Sequence, residues 1–286
     1  MPKKSNLESG QGPLEPMELR RLELPDLCYI LKLGWDDFLA YPSFAVMIAL
    51  IYPIVGLLMA RVLHGYSFLP LLFPISAGFA LLGPFAAVTF YDISRRRELG
   101  DATGQFSISG VTQSPSGKSI AMLGGVLAVL FFVWLGTAQA IYNFFYGFAP
   151  VSSMCDFVMQ VATTSKGRTF LLAMCGMGFA FALVSFCISV VSFPLLLDRR
   201  ASATDAMLTS FRVIAKSPLT LSVWGCIVAG LLLAGTVPAF LGLAVVVPVL
   251  GHATWHLYRR AVATRASAST ASRKPPWVRC PADEIR

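Results

Sequence analysis

The sequence predicts an all-α membrane protein of about six transmembrane helices, arranged as three hairpins with amphipathic helices at the membrane interface. Two observations predict it. The 286-residue chain is 56% hydrophobic and only 13% charged, where a soluble domain carries about 25%; too little polar surface is left to coat a globule in water. The 23 Lys and Arg also lie in clusters between long uncharged runs, which is how membrane topology is written. The net charge of +8 thus belongs to a chain whose partner is a lipid bilayer and not nucleic acid.

Taken in order, residues 1–24 are polar and carry Lys3, Lys4, Arg20 and Arg21, which reads as a disordered tail. No short apolar core with a cleavage site follows a basic start, so no signal peptide is expected. Residues 25–260 read as an integral membrane domain and 261–286 as a second disordered tail. From Pro25 to about Ala40, Leu27, Ile30, Leu31, Trp35 and Phe38 recur at helical spacing, with Lys32 and Asp36 on another face. This is a surface helix, with Trp35 and Phe38 as anchors in the leaflet. Spans follow at about 44–63, 68–91, 119–142, 169–197, 219–236 and 238–258. A helix needs about 20 residues to cross the hydrocarbon, so the uncharged stretch 219–258 holds two spans, turned near Gly235, Thr236 and Pro238.

Counting Lys and Arg sets the orientation. One side carries all but Arg61, Lys166 and Arg168. The positive-inside rule places that side in the cytoplasm, with both termini and the clusters Arg95, Arg96 and Arg97, Arg199 and Arg200, and Arg259 and Arg260. These arginines, with Trp255, mark the membrane interface. The six cysteines form no C-x-x-C pair and read as small packing residues.

A weak internal repeat runs through the chain. Tyr41-Pro42, Ser114-Pro115 and Ser217-Pro218 each stand ahead of an outgoing span, and Pro84, Pro194 and Pro248 each precede a basic stop. Residues 204–216 form a second amphipathic segment, with Met207, Phe211 and Ile214 opposite Asp205, Thr209, Arg212 and Lys216. The spacing predicts three tandem units of surface helix plus hairpin; the middle unit's version, 101–114, is Gly-rich and poorly periodic.

Several stretches carry a resemblance: Gly34-Trp35-Asp36-Asp37-Phe38, Ile51-Tyr52-Pro53, residues 78–85, Val191 to Arg199 and Gly251 to Arg259. Together, over roughly residues 20–260, they resemble the bacterial membrane family catalogued as domain of unknown function 2189. The resemblance implies a bacterial inner membrane and supplies no established activity, although some members carry a cytochrome c oxidase label.

Few residues carry chemistry. His252 and His256 are four apart, so both imidazoles share one face of the last helix. Two such nitrogens suit a metal ion, and either suits a haem iron; near Trp255 and Arg259 they also suit plain hydrogen bonding. An oxidase core is excluded by count, because it needs six histidine ligands and the chain has three, His64 among them in an outside loop. No Asp, Glu, Lys or Arg lies deep in a span, which argues against a proton-coupled pump. No Ser/His/acid or Cys/His set can be assembled from spacing. The reading is a non-enzymatic membrane protein with an interaction, permeation or envelope role and no cofactor. Two alternatives stand beside it: a haem- or metal-binding accessory of a respiratory complex with His252 and His256 as ligands, and a passive small-solute transporter. Partner chains expected are a second copy or a respiratory-complex subunit.

Overall fold

The computed structural model describes residues 17–41, 83–84, 87–100, 116–147, 154–237 and 241–263. The expected span 44–63, most of 68–91, Arg61, His64, the segment 101–114 and most of both tails lie outside the described residues. What is described is helical throughout, apart from a two-residue ribbon joining the two ends. In chain order the elements are β1 (Glu18–Leu19), α1 (Leu24–Ala40), α2 (Val88–Glu98), α3 (Gly117–Tyr146), α4 (Met154–Thr163) and α5 (Ser165–Ser189). They continue with α6 (Ser192–Asp198), α7 (Ala203–Lys216), α8 (Pro218–Thr236), α9 (Leu243–Ala261) and β2 (Val262–Ala263).

Among the described residues three helices are long and apolar enough to cross a membrane: α3, the run α5–α6 from Ser165 to Asp198, and α8. Phe132, Phe144, Leu172, Phe179 and Leu233 point outward from them. So much exposed apolar surface on a monomer calls for lipid around it. The single expected span 169–197 is broken at Val190–Val191. Pro194 lacks the N–H that would bond the Val190 carbonyl, and its ring crowds that turn. Ser192 and Ser189 meet the local backbone instead, donating to the carbonyls of Ile188 at 2.5 Å and Ser185 at 2.6 Å. The loop expected over 143–168 contains α4, which meets α5 so tightly that a Cβ on Gly167 would fall 2.4 Å from Val161 Cα. At the α8–α9 turn, a Cβ on Gly242 would fall 2.8 Å from Gly235 Cα. Backbone meets backbone there, as small residues permit in membrane helices.

α1 and α7 are built alike. Their C-cap residues, Tyr41 (φ −136°, ψ 54°) and Ser217 (φ −139°, ψ 57°), have nearly the same backbone angles, and each is followed by proline. Aligned on those caps, four of the five buried positions of each helix coincide: Leu27 with Ala203, Ile30 with Ala206, Gly34 with Ser210 and Asp37 with Val213. Trp35 and Phe211 occupy one register and are 45% and 48% exposed. In both helices, then, the close-packing residues face in and an aromatic faces out. The expected faces put Phe211 on the apolar side of α7 and Thr209 on the polar side; Phe211 does face outward, but Thr209 is buried. Phe38 is buried too, one turn from the outward Trp35.

α1 lies along α9, whereas α7 lies across α5 and α6. Serine hydroxyls close the joints. Ser116 accepts from the Ala201 N–H at 3.1 Å and donates to the Arg199 carbonyl at 2.8 Å. Ser217 accepts from the Leu22 N–H at 2.8 Å, and Thr220 donates to the Leu22 carbonyl at 2.9 Å. β1 pairs antiparallel with β2, Glu18 beside Ala263 and Leu19 beside Val262. The N-terminal and C-terminal segments therefore meet at one point. The larger of two buried clusters lies at the arginine-bearing end, where α9 contacts α1, α2, α6 and α8; a smaller one, around Trp134, Tyr142 and Phe170, joins α3 and α5.

Candidate functional site

The candidate site is built around Asp37, which α1 carries into the seam with α9. Leu27, Ile30, Gly34 and Asp37 fall at intervals of three and four, so they share a face. Gly34 permits the approach: a Cβ there would lie 2.7 Å from Ala253 Cβ and N, and 2.8 Å from the Val249 carbonyl. On the other side, Gly251 lets α9 meet Phe90 of α2, since a Cβ there would lie 2.8 Å from Phe90 Cβ. Two glycines thus press α1 and α2 onto one stretch of α9, and the polar groups of that stretch are trapped between them.

Ser94 donates to Asp37 Oδ2 at 2.5 Å, His256 Nε2 lies 2.8 Å from the same oxygen, and Arg97 pairs with Oδ1. Ser94 Oγ lies 2.8 Å from His252 Nδ1. Ser94 and His252 are fully buried, and Asp37 nearly so. Burial by itself raises the Asp37 carboxyl. The hydrogen bond and charge of His256, the hydrogen bond from Ser94 and the charge of His252 outweigh it and hold the group at about 2. The anion is therefore the working form, and it can only accept. That assigns the neighbouring protons: Ser94 points its O–H at Asp37, His256 carries its proton on Nε2, and His252 presents Nδ1–H to the Ser94 oxygen. His252 Nε2 is buried and has no hydrogen-bond partner among the described residues.

Around this centre the arginines pair with carboxylates. Arg259 reaches Glu98 at 3.1 Å and Asp198 at 3.6 Å, and Arg260 reaches Asp26 at 2.6 Å. Tyr258 donates to Asp198 at 2.7 Å, Arg95 lies 3.8 Å from Asp198, and Arg96 pairs with Asp92 at 2.8 Å. Arg199 lies 3.7 Å from Asp198, while Arg200 is exposed on the linker to α7. His256 Nδ1 lies 3.6 Å from Glu98. One helix, α9, is thereby tied to α1, α2 and α6 by side chains from its last three turns.

His252 and His256 are brought to one place, but each meets a different partner of the same carboxylate–serine pair. Among the described residues no group of three or more His, Cys, Asp or Glu is arranged to hold a metal ion. The structure corrects two expectations. It assembles a Ser/His/acid set, Ser94, His252 and Asp37, from three elements that spacing alone does not connect. It also turns Trp255, expected at the headgroups, fully inward beside Tyr258, their rings 5.5 Å apart. Asp37 and Ser94 are the residues that sequence reasoning misses. The signal for Asp37 was its phase with Leu27, Ile30 and Gly34.

Residues 72–198 match the family model described as a predicted integral membrane protein, DUF2189. It is the family that the motifs resemble. No curated protein and no solved structure matches the chain. The DUF2189 match is shorter than the stretch over which the motifs run. It takes in Ser94, the arginines of α2, Glu98 and Asp198, while Asp37, His252 and His256 come from α1 and α9, beyond its ends. The site is thus shared between the DUF2189 segment and the helices flanking it.

Proposed function

We propose that this is a non-enzymatic, polytopic protein of a bacterial inner membrane, with six spans as three hairpins and both termini cytoplasmic. In it α1 is a latch folded back over the charged end of the helix bundle. The single observation carrying the latch is the Asp37 carboxylate, which gathers donors from α2 and α9 and so binds three elements through one residue. The matched caps and faces of α1 and α7 support tandem units, and the β1–β2 ribbon supports termini on one side. His252 and His256 serve here as hydrogen-bonding partners, His252 of Ser94 and His256 of Asp37. Interaction, permeation and envelope roles all fit a latch of this kind.

Two measurements test this reading. Cysteines placed at Arg96 and Arg265 in a cysteine-free background are expected to resist impermeant maleimide in intact cells and react after permeabilisation; labelling from outside would overturn the topology. Protein purified in mild detergent is expected to show no Soret band and no stoichiometric metal. Bound haem, copper or zinc that disappears in His252→Ala would instead establish a cofactor site.

A further inference from the structure

The end of the α3–α5 pair away from the arginines carries a helix with three different faces. Ser116 and Ser119, at the start of α3, bond the backbone of Arg199 and Ala201, so α3 leaves from the arginine-bearing end and α4 follows its far end. On α4, Phe157 and Val161 pack inward; the Phe157 ring centroid lies 5.4 Å from that of Tyr146 and 6.1 Å from that of Phe170. Asp156, Gln160 and Thr163 form an exposed polar face. Cys155, Val158, Met159 and Ala162 form the third face, and all are exposed, Val158 at 55% and Met159 at 57%. Steps of three and four put them on one side of the helix, in an apolar stripe about 100° wide at about 3.6 residues per turn.

Depth says what covers that stripe. A helix crosses the hydrocarbon in about 20 residues, and α3 has 30. Counted from Ile120, the crossing is complete near Gln139. Tyr142, Tyr146 and α4 are left in the headgroup layer, where tyrosines gather. Phe144 of α3 is 84% exposed and Leu172 of α5 75%, so the lipid-facing surfaces of both helices run up to α4. Lys166 and Arg168, exposed at the start of α5, bring cations to the same level, Lys166 5.1 Å above the Tyr146 ring. We propose that α4 lies in the leaflet at this end of the molecule. Its Cys155, Val158, Met159 and Ala162 stripe sits among phospholipid acyl chains, its Asp156, Gln160 and Thr163 face meets water, and Lys166 and Arg168 meet the phosphates. An apolar stripe beside a polar face is how a helix too short to cross binds a bilayer surface.

The inference goes beyond the latch and rests only on α3 and α5 crossing the bilayer, whichever leaflet α4 meets. The full chain, freed of its native cysteines, receives one new cysteine at a time: Val158→Cys, Met159→Cys, Gln160→Cys or Thr163→Cys on α4, and Val129→Cys in mid-α3, a position 64% exposed. Each carries a nitroxide in phosphatidylethanolamine–phosphatidylglycerol vesicles. Power-saturation EPR then compares collisions with dioxygen, which concentrates among acyl chains, and with a water-soluble nickel chelate. The dioxygen-to-chelate ratio is expected to be several-fold higher at 158 and 159 than at 160 and 163, and highest at 129. Chelate-rich collisions at 158 and 159 would put the stripe in water and overturn the site. Exclusion of both reagents from 158 and 159 would put protein on the stripe and overturn it as well; spin–spin broadening would identify that protein as a second copy of the chain. Chelate-rich collisions at 129 would remove the spans and this inference with them, whereas a dioxygen-rich 129 beside a chelate-rich 158 removes the α4 inference alone.

Discussion

The two surface helices make their seams by the same plan and fill them differently. α1 and α7 share cap angles, buried register and an outward aromatic, yet where α7 buries Val213 and Ser210, α1 buries Asp37 and Gly34. The α7 seam shows that this architecture closes without a carboxylate. Burying one costs several kcal/mol unless every lone pair is met, so the α1 seam carries a demand that the fold itself does not make. The difference teaches that Asp37 and its ring of donors are an addition to a packing motif. That is the strongest reason to look for function at this end of the molecule.

The largest effect is expected from forcing α1 to copy α7 at that position. Asp37→Val leaves Ser94, His256 and Arg97 without their acceptor. Removing one partner of a buried charged network typically costs about 3–5 kcal/mol, read as a loss of unfolding free energy in mixed micelles. The triple variant Asp37→Val, Ser94→Ala, His256→Leu also removes two of the stranded donors, and Arg97, partly exposed, can turn to water. It is expected to recover most of the loss, because a matched apolar replacement is often neutral. A triple variant no better than the single one would break the comparison, since the two seams would then not be interchangeable in kind.

Next in size is Gly34→Ala, which adds a methyl within 2.8 Å of the Val249 carbonyl and 2.7 Å of the Ala253 backbone nitrogen. Neither atom can swing away, so α1 must lift from α9 at a cost of about 2–3 kcal/mol, measured in the same micelles. α7 already carries a Cβ at the equivalent Ser210. Acid gives a third, smaller test. The Asp37 carboxyl is at about 2 in the folded protein against 3.8 unfolded. A folded value below the unfolded one means stability that is complete above about pH 4 and lost as pH falls through 2. The loss is on the order of 2 kcal/mol. Stability measured against pH is expected to fall in that window in the natural protein and to lose that component in Asp37→Asn.

Much of the fold was legible before any coordinates, because spans and caps are written in local chemistry. Long uncharged runs predict α3, α8 and the α5–α6 run, and the Pro-flanked caps predict where α1 and α7 stop. The site was legible only in part. His252 and His256 stand out because they share a helix face, but their partners come from residues 158 and 219 positions away in sequence, and no spacing rule reaches that far. Asp37 was hidden beside Asp36, since the polar pair reads as a solvated face unless the helical phase of each is followed separately. Trp255 was misplaced because an aromatic near arginines resembles an interfacial anchor; what buries it is the convergence of α2 and α6 on α9, which is tertiary. On α7 it was Thr209 that misled: it reads as part of the polar side, while in lipid the packed face is the one whose small residues let backbones approach.

The smallest expected effect tests the α7 side of the comparison. Ser210 donates to the Cys187 carbonyl at 2.8 Å and is the α7 seam's counterpart of Gly34. Ser210→Ala keeps the Cβ and the close approach and removes only the hydroxyl. Interhelical hydrogen bonds of this kind in membrane proteins average about 0.6 kcal/mol, because the denatured helix finds other partners for its polar groups. The stability change should therefore be a small fraction of that for Asp37→Val, and it should not depend on pH between 4 and 2. A loss as large as that of Asp37→Val would show that the α7 seam hangs on its polar group as much as the α1 seam does. Asp37 would then be one of two equivalent fasteners, and the case for a special role at the α1 end would have to rest on His252 alone.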